Sequence, residues 1–167
     1  MLTNASPTAT SPQPSGDFND ADVMFAQMMS QHHRQAIEMA DLAETRASDT
    51  EVKELAERIK TSNQTEKATM QGWLKAWGKP MPTDGMMHGM PGAMSGEDMQ
   101  RLESAKGAAF DKEFLQMMIA HHKGAIAMAR TEKRRGENPE AKQLADTIMK
   151  DQQAEVEQMQ KTLDRLQ

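Results

Sequence analysis

Small and apolar residues recur every three or four positions along most of the chain, and this is the spacing of a helix with one buried face. The first such stretch is predicted to begin between Asp17 and Asp20 and to run to about Arg46. On a helix turned by about 100° per residue, its small and apolar positions form one narrow stripe. That stripe consists of Phe25, Met29, Ala36, Ala40 and Ala43.

A second apolar stripe follows after a very short connection. Ser48–Glu51 has the spacing of a capping box, which predicts a helix start, and Gly78 followed by Pro80 predicts its end. Two helices joined by so short a link must be antiparallel neighbours. The buried face of this second helix is predicted to comprise Val52, Leu55, Ile59, Met70, Leu74 and Trp77.

The same pattern returns 89 residues later. Residues 25–40 read FAQMMSQHHRQAIEMA, and residues 114–129 read FLQMMIAHHKGAIAMA. The sequence therefore predicts one helical hairpin used twice, as residues 18–77 and 107–166. The register also holds beyond the motif, in the pairs Leu55 and Leu144, Ile59 and Ile148, Glu66 and Glu155, and Met70 and Met159.

The second hairpin has start and stop signals of its own. Its first helix is predicted from Asp111 to about Arg135, and its second from Asn138, with proline at the first helical position, nearly to Leu166. Residues 17–167 are thus predicted to form an all-α, ferritin-like four-helix bundle. It is made of two repeated hairpins joined by a long methionine-rich crossover.

The crossover, residues 78–106, is predicted to contain a short helix from Ser95 to about Lys106. Before it, turn-forming residues interrupt any helical period, yet methionines cluster there. Soft-metal capture and a collapsed hydrophobic lid over the bundle are the two interpretations. The residues of the predicted secondary metal loop are Met86, Met87, His88, Met90 and Met94.

Residues 1–16 are rich in Ser, Thr and Pro, and they are predicted to form a disordered tail. Tails of this composition often follow a cleaved export signal or a membrane anchor, so we expect an extracytoplasmic protein whose membrane contact, if any, is an anchor preceding residue 1. The chain has no cysteine, which excludes thiolate metal sites and suits an oxidising compartment. Its net charge of −5 argues against a nucleic-acid surface.

Four of the five histidines fall in two register-matched doublets, and both residues of each doublet border the small-residue stripe. A methionine precedes each histidine by one helical turn. Imidazole suits copper, zinc, iron and nickel, while thioethers narrow the choice to a soft ion, copper(I) above all. The predicted ligands are His32, His33, His121, His122, Met28, Met29, Met39, Met117, Met118 and Met128. Whether the two doublets form one site or two is left open.

Two matched acidic pairs need separate interpretation. Glu66 and Glu155 lie close to the apolar stripes of their helices, and we interpret them as carboxylates that orient a histidine from outside the ligand set. Asp22 and Asp111 lie near helix starts, where capping is the favoured role.

Two other functions compete with copper binding. A di-iron carboxylate oxidoreductase would need Glu-x-x-His motifs, and the positions three before the paired histidines are Met29, Ser30, Met118 and Ile119. A metal-free structural or interaction bundle predicts no metal affinity at all. No nucleophile elbow or phosphate loop supports catalysis, so we predict a protein that is not an enzyme.

The paired MMxxHHxxAIxMA motifs, each followed by Q-x-E-x-x-x-M on the next helix, resemble the domain-of-unknown-function 305 family. The similarity extends over about residues 18–166. It implies a bacterial, mostly exported, ferritin-like bundle that binds copper and contributes to copper tolerance. The hypothesis from sequence is a protein that sequesters copper(I) or passes it to a copper-transfer partner, with silver(I) as a mimic.

Overall fold

The computed structural model describes residues 16–87 and 89–167, and over those ranges it contains five α-helices and no strand. The all-α prediction is confirmed. The predicted disordered tail, apart from Gly16, lies outside the described residues. The helices are α1 (Asp20–Arg46), α2 (Thr50–Trp77), α3 (Gly96–Ser104), α4 (Gly107–Arg135) and α5 (Pro139–Leu166).

The four long helices form two hairpins that lie side by side. Helix α1 packs along α2, and α4 packs along α5, while α1 and α4 make the main contact between the hairpins. Two hairpins joined by a long crossover is the predicted connectivity, and it is the one observed. The two histidine motifs, which lie on α1 and α4, therefore face each other across the centre of the molecule.

Two helices start at positions that differ from the prediction. Helix α2 is capped by Asp49, one residue after the start of the predicted box, because Ser48 is engaged elsewhere. Helix α4 begins at Gly107, which leaves Asp111 buried inside the helix rather than at its cap. The Asp111 carboxylate accepts the backbone and hydroxyl hydrogens of Ser48 and the backbone N–H of Asp49. It thus holds the connection of the other hairpin.

Asp22 performs the same task in the opposite direction. Its carboxylate completes the capping box of α1 with Asn19, and it also accepts the backbone N–H groups of Glu137 and Asn138. These two residues form the connection between α4 and α5. Each hairpin therefore extends one buried aspartate into the turn of the other, which locks the two halves at both ends.

The core between the hairpins consists of two apolar clusters. One surrounds Phe110 and Phe114, whose stacked rings lie 5.6 Å apart, and it includes Leu102 of α3. The other surrounds Phe25 and Trp73. The buried stripes predicted for α1 and α2 supply most of the residues that these clusters draw from the first hairpin.

The crossover begins where Gly78 ends α2 in the left-handed conformation, at a φ of 67°. A short 3₁₀ helix, Asp84–Met87, follows. Residues 89–94, which we call the strap, then pass over α1 and α4 before α3 begins. The strap thus covers the point at which the two histidine motifs meet.

Candidate metal centre

The two histidine motifs form one cluster at the contact between α1 and α4. All four histidines are buried, with no more than 1% of any of them exposed. The rings of His32 and His121, one from each hairpin, stack with their centroids 3.7 Å apart and their planes 26° apart. The sequence did not decide whether the two motifs form one site or two, and the structure brings them together in one cluster.

His33 and His122 are each held by a carboxylate of the following helix. His33 donates from Nε2 to Glu66 Oε1 at 2.8 Å, and His122 donates from Nε2 to Glu155. An ionised carboxylate only accepts hydrogen bonds, so Nε2 carries a proton, and Nδ1 is the nitrogen left to act as a metal ligand. This is the contact that the predicted orienting role requires, and the role itself stays a prediction.

His32 is held by the main chain of the strap. Its Nε2 donates to the carbonyl oxygen of Pro91 at 2.9 Å, which again leaves the lone pair on Nδ1. Within residues 16–87 and 89–167, no hydrogen-bond partner reaches Nδ1 of His32, His33 or His122, or Nε2 of His121. Buried polar atoms are rarely left unpaired, so four such nitrogens in one cluster indicate a further partner.

Burial keeps two of these rings uncharged. It lowers the pKa of His32 to about 3, with repulsion from His33 adding to the effect of burial. The pKa of His121 is lowered well below its ordinary value, by burial first and then by repulsion from His32 and the other two histidines. A proton and a metal ion compete for the same lone pair, so a neutral imidazole is ready to act as a ligand.

The predicted thioether ligands divide into core residues and accessible residues. Met29, Met39 and Met118 are completely buried within the apolar clusters, and Met117 is nearly so. The other two, Met28 and Met128, line a cavity of about 410 Å³ beside α1 and α4. Only those two of the six are placed to meet an ion arriving from that cavity.

The strap is fastened to α1 and lies very close to α4. Gln35 donates to the carbonyl of Met94 at 3.0 Å and accepts the backbone N–H of Met94 at 2.8 Å. A Cβ atom on Gly124 would lie 1.9 Å from the Pro91 carbonyl oxygen, and one on Gly92 would lie 2.5 Å from an α4 carbonyl. Only glycine at these two positions permits the contact.

The methionines of the predicted metal loop lie in different environments. Met90 is buried within the strap, and Met94 packs against the core, which is what the lid interpretation requires. Met86 is half-buried in the 3₁₀ helix. The side chains of Met87 and His88 lie outside the described residues, and metal capture by this loop stays a prediction.

Sequence reasoning missed two buried amides near the centre. Asn63 and Gln152 lie one turn before Glu66 and Glu155, and each amide oxygen lacks a partner among the residues that the structure describes. The 89-residue register could have identified them, because it aligns Asn63 with Gln152 and so repeats an amide at the same position. Gln35 gave no such signal, because its counterpart in the second repeat is a glycine.

The cluster is not a ready-made carboxylate site. Among residues 16–87 and 89–167, no three His, Cys, Asp or Glu side chains converge in a way that could hold a metal ion. The two glutamates are occupied by hydrogen bonds from His33 and His122. A metal ion at this centre therefore needs a ligand of another kind, such as a thioether, or a rotation of the rings.

Comparison with known proteins agrees with this architecture. A profile of a domain of unknown function, DUF305, matches residues 22–163, which is most of the chain. The chain belongs to the DUF305 family. A DUF305 protein from Streptomyces coelicolor, believed to be secreted, is 32% identical, with 87% of this chain and 93% of that one covered at a TM-score of 0.82. A DUF305 fragment from Deinococcus radiodurans is 30% identical, with 90% and 99% covered and a TM-score of 0.82.

Structures of another similar protein, CopM, contain copper. CopM in its Cu(I)-bound form is 34% identical to this chain, with 86% of this chain and 96% of CopM covered at a TM-score of 0.73. CopM has also been solved with Cu(II), with silver and in the apo form. No curated protein matches the chain. Among the described helices, none combines the length and apolar character needed to cross a membrane.

Proposed function

We propose that this DUF305 protein binds copper(I) at the histidine cluster between α1 and α4, and that it stores or transfers the ion without catalysing a reaction. Copper is the cargo in this function. The observation that carries the proposal is the group of four buried imidazoles, each with one ring nitrogen unpaired among the described residues. The copper-bound and silver-bound structures of CopM support copper(I) as the ion.

The chemistry of the surroundings favours a soft ion. Neutral imidazoles and nearby thioethers suit copper(I) and silver(I), whereas iron(II) and manganese(II) prefer carboxylates. Glu66 and Glu155 hold histidines rather than converging with a third acidic or imidazole ligand. These contacts argue against the di-iron carboxylate alternative, and the orphaned nitrogens argue against a purely structural bundle.

We further propose that the protein works outside the cytoplasm and delivers copper to a copper-transfer protein. A chain without cysteine loses no ligands to disulfide formation, and thioethers bind copper(I) in oxidising surroundings. The Streptomyces coelicolor relative, believed to be secreted, supports this location.

A competition titration against a chromogenic copper(I) chelator tests the proposed function. The variants are His32→Gln with His121→Gln, and Glu66→Gln with Glu155→Gln. We expect the glutamate variant to lose about 10-fold to 100-fold in affinity, the usual effect of removing a group that orients a ligand, and the histidine variant to lose more. Iron(II) and manganese(II) should bind wild type poorly.

Glu38→Gln is the matched control, because Glu38 is an exposed carboxylate that pairs with Arg34 on the surface of α1. Its copper(I) affinity should equal that of wild type. No measurable copper(I) binding by folded wild type would leave the structural bundle as the better interpretation. Strong iron(II) binding that disappears in the glutamate variant would favour the di-iron class.

A further inference from the structure

The cavity that contains Met28 and Met128 has a third methionine on its wall. Met24 lies one helical turn before Met28 on α1, and its side chain also lines this cavity of about 410 Å³. Three thioethers from two helices therefore open into one space. Met24 lies outside the repeated histidine motif, and the sequence gave no reason to consider it a ligand.

The side chain of Met24 is unusually exposed for a methionine. It is 58% exposed, more than any other large apolar side chain of the described residues. Its counterpart in the second repeat is Glu113, so duplication does not explain an apolar residue here. Packing does not explain it either, since the side chain borders open space.

The equivalent face of the second repeat is closed. There Glu113 pairs with Arg101 of α3, and Arg46 donates to the carbonyl of Glu103 at the end of α3. Leu102 of the same helix enters the core cluster that contains the methionines matching Met28 and Met128, which are Met117 and Met39. Helix α3 thus seals one copy of this surface, and the copy with three accessible thioethers stays open.

We infer that Met24, Met28 and Met128 form a separate surface site for a soft monovalent cation, copper(I) or silver(I). Thioethers are neutral ligands that select such ions over hard cations, and three of them from flexible side chains can close around one ion. Asp20 adds a nearby carboxylate that attracts a cation, opposed by Arg135 on the same wall.

The position of the cavity gives this site a role. Pro91 of the strap also lines the cavity, and the Pro91 carbonyl accepts the hydrogen bond from His32. An ion held by the three thioethers is thus separated from the buried histidines by the strap. Binding of an ion by the three thioethers does not depend on the histidines. Passage of that ion from the thioethers to the histidines rests on the proposed function.

Silver(I) titration of protein labelled with [methyl-¹³C]methionine tests the site, because silver is redox-inert and each methyl signal reports one thioether. We expect the methyl signals of Met24, Met28 and Met128 to shift together within the first equivalents of silver. Met24→Leu keeps the apolar volume and removes the sulfur, and it should weaken this site by about tenfold or more. Met81→Leu is the control, since Met81 is 44% exposed but does not line the cavity.

The outcomes separate the two proposals. Shifts of the three methyl signals that persist in the His32→Gln, His121→Gln variant support a thioether site independent of the histidines. Silver binding that leaves the Met24 signal unmoved, or that shifts Met24 and Met81 only together at excess silver, overturns this inference and leaves the histidine centre intact. Absence of silver binding anywhere in the folded protein overturns both.

Discussion

At the scale of single residues, burial decides which groups carry charge. The depressed pKa of His32 lies near 3, whereas an unfolded histidine titrates near 6.5. Between those values the unfolded chain binds a proton that the folded chain does not, so this residue costs stability as the pH falls through that window. The same shift keeps His32 neutral, and available to a metal ion, at a pH where an exposed histidine is protonated.

Glu132 shows the opposite shift at the end of α4. Burial, and then the neighbouring Asp22 carboxylate, raise its pKa to about 9, so it is protonated at neutral pH. Burial alone would raise the pKa of Asp22, but hydrogen bonds from Glu132 and from three backbone N–H groups outweigh it and lower that pKa. Gly136 makes room for the pair, because a Cβ atom there would lie 2.0 Å from Glu132 Oε1.

We predict that Glu132→Gln makes the protein less sensitive to alkali. Unfolding releases the Glu132 proton between about pH 4.5 and pH 9, so wild type loses stability as the pH rises through that window. Glutamine donates to Asp22 without titrating, and it should remove that loss. Urea unfolding at pH 5, 7 and 9 measures the effect, with Glu38→Gln as the control. Parallel pH profiles for wild type and Glu132→Gln would contradict the assignment.

At the scale of elements, the strap depends on an unusually close contact with α4. Gly124 lies in the middle of a long helix, where glycine is unfavourable, and the space that it leaves is filled by the Pro91 carbonyl. The matched position on α1 is Gln35, which fastens the same strap through two hydrogen bonds. Gln35 and Gly124 thus occupy the same position in the two repeats, and each makes a different contact with the strap.

We predict that Gly124→Ala destabilises the protein by about 1–3 kcal/mol, because the new Cβ displaces the strap from α4. Gly72→Ala is the matched control, since Gly72 also lies inside a helix but a Cβ there meets nothing within 4 Å. The control should gain about 0.5–1 kcal/mol from helix propensity alone. Urea unfolding compares the two, and amide exchange of residues 89–94 reports the strap. An equal gain in both variants would show that the close contact is not needed.

At the scale of the whole molecule, the buried aspartates connect the two hairpins. Asp111 accepts three hydrogen bonds from the turn between α1 and α2, and Asp22 accepts two backbone N–H groups from the turn between α4 and α5. Because each hairpin supplies one aspartate and one turn, neither half is complete by itself. This reciprocity fixes how α1 and α4 face each other, and so fixes the stacking of the central histidines.

We predict that Asp111→Ala lowers the free energy of unfolding by about 1–3 kcal/mol, the cost of leaving donors without a buried acceptor. Asp164→Ala, which removes an exposed carboxylate bonded only to Gln160 in the described contacts, should change it by less than about 0.5 kcal/mol. Urea unfolding measures both. Similar small effects of the two substitutions would mean that the turn is held by packing and that the hydrogen bonds to Asp111 contribute little.

The sequence by itself determined the helices and most of their ends, because these depend on residues a few positions apart, whereas the starts of α2 and α4 differ from the prediction. Gly78 and Asn138 mark helix ends that the structure confirms, and the 89-residue register identified both histidine doublets. Residue chemistry also indicated a soft ion, since thioether and imidazole preferences hold before any fold is known.

Only the tertiary structure decided which of those residues meet. The stacking of His32 on His121, the burial of Met29 and Met118, and the access of Met24 to a cavity all depend on how α1 and α4 pack. The same is true of Glu132, whose proton is retained because burial, and then the nearby Asp22 carboxylate, raise its pKa. Helical periodicity gives the direction of a side chain on its own helix, but the environment that it enters is set by residues about 90 to 115 positions away.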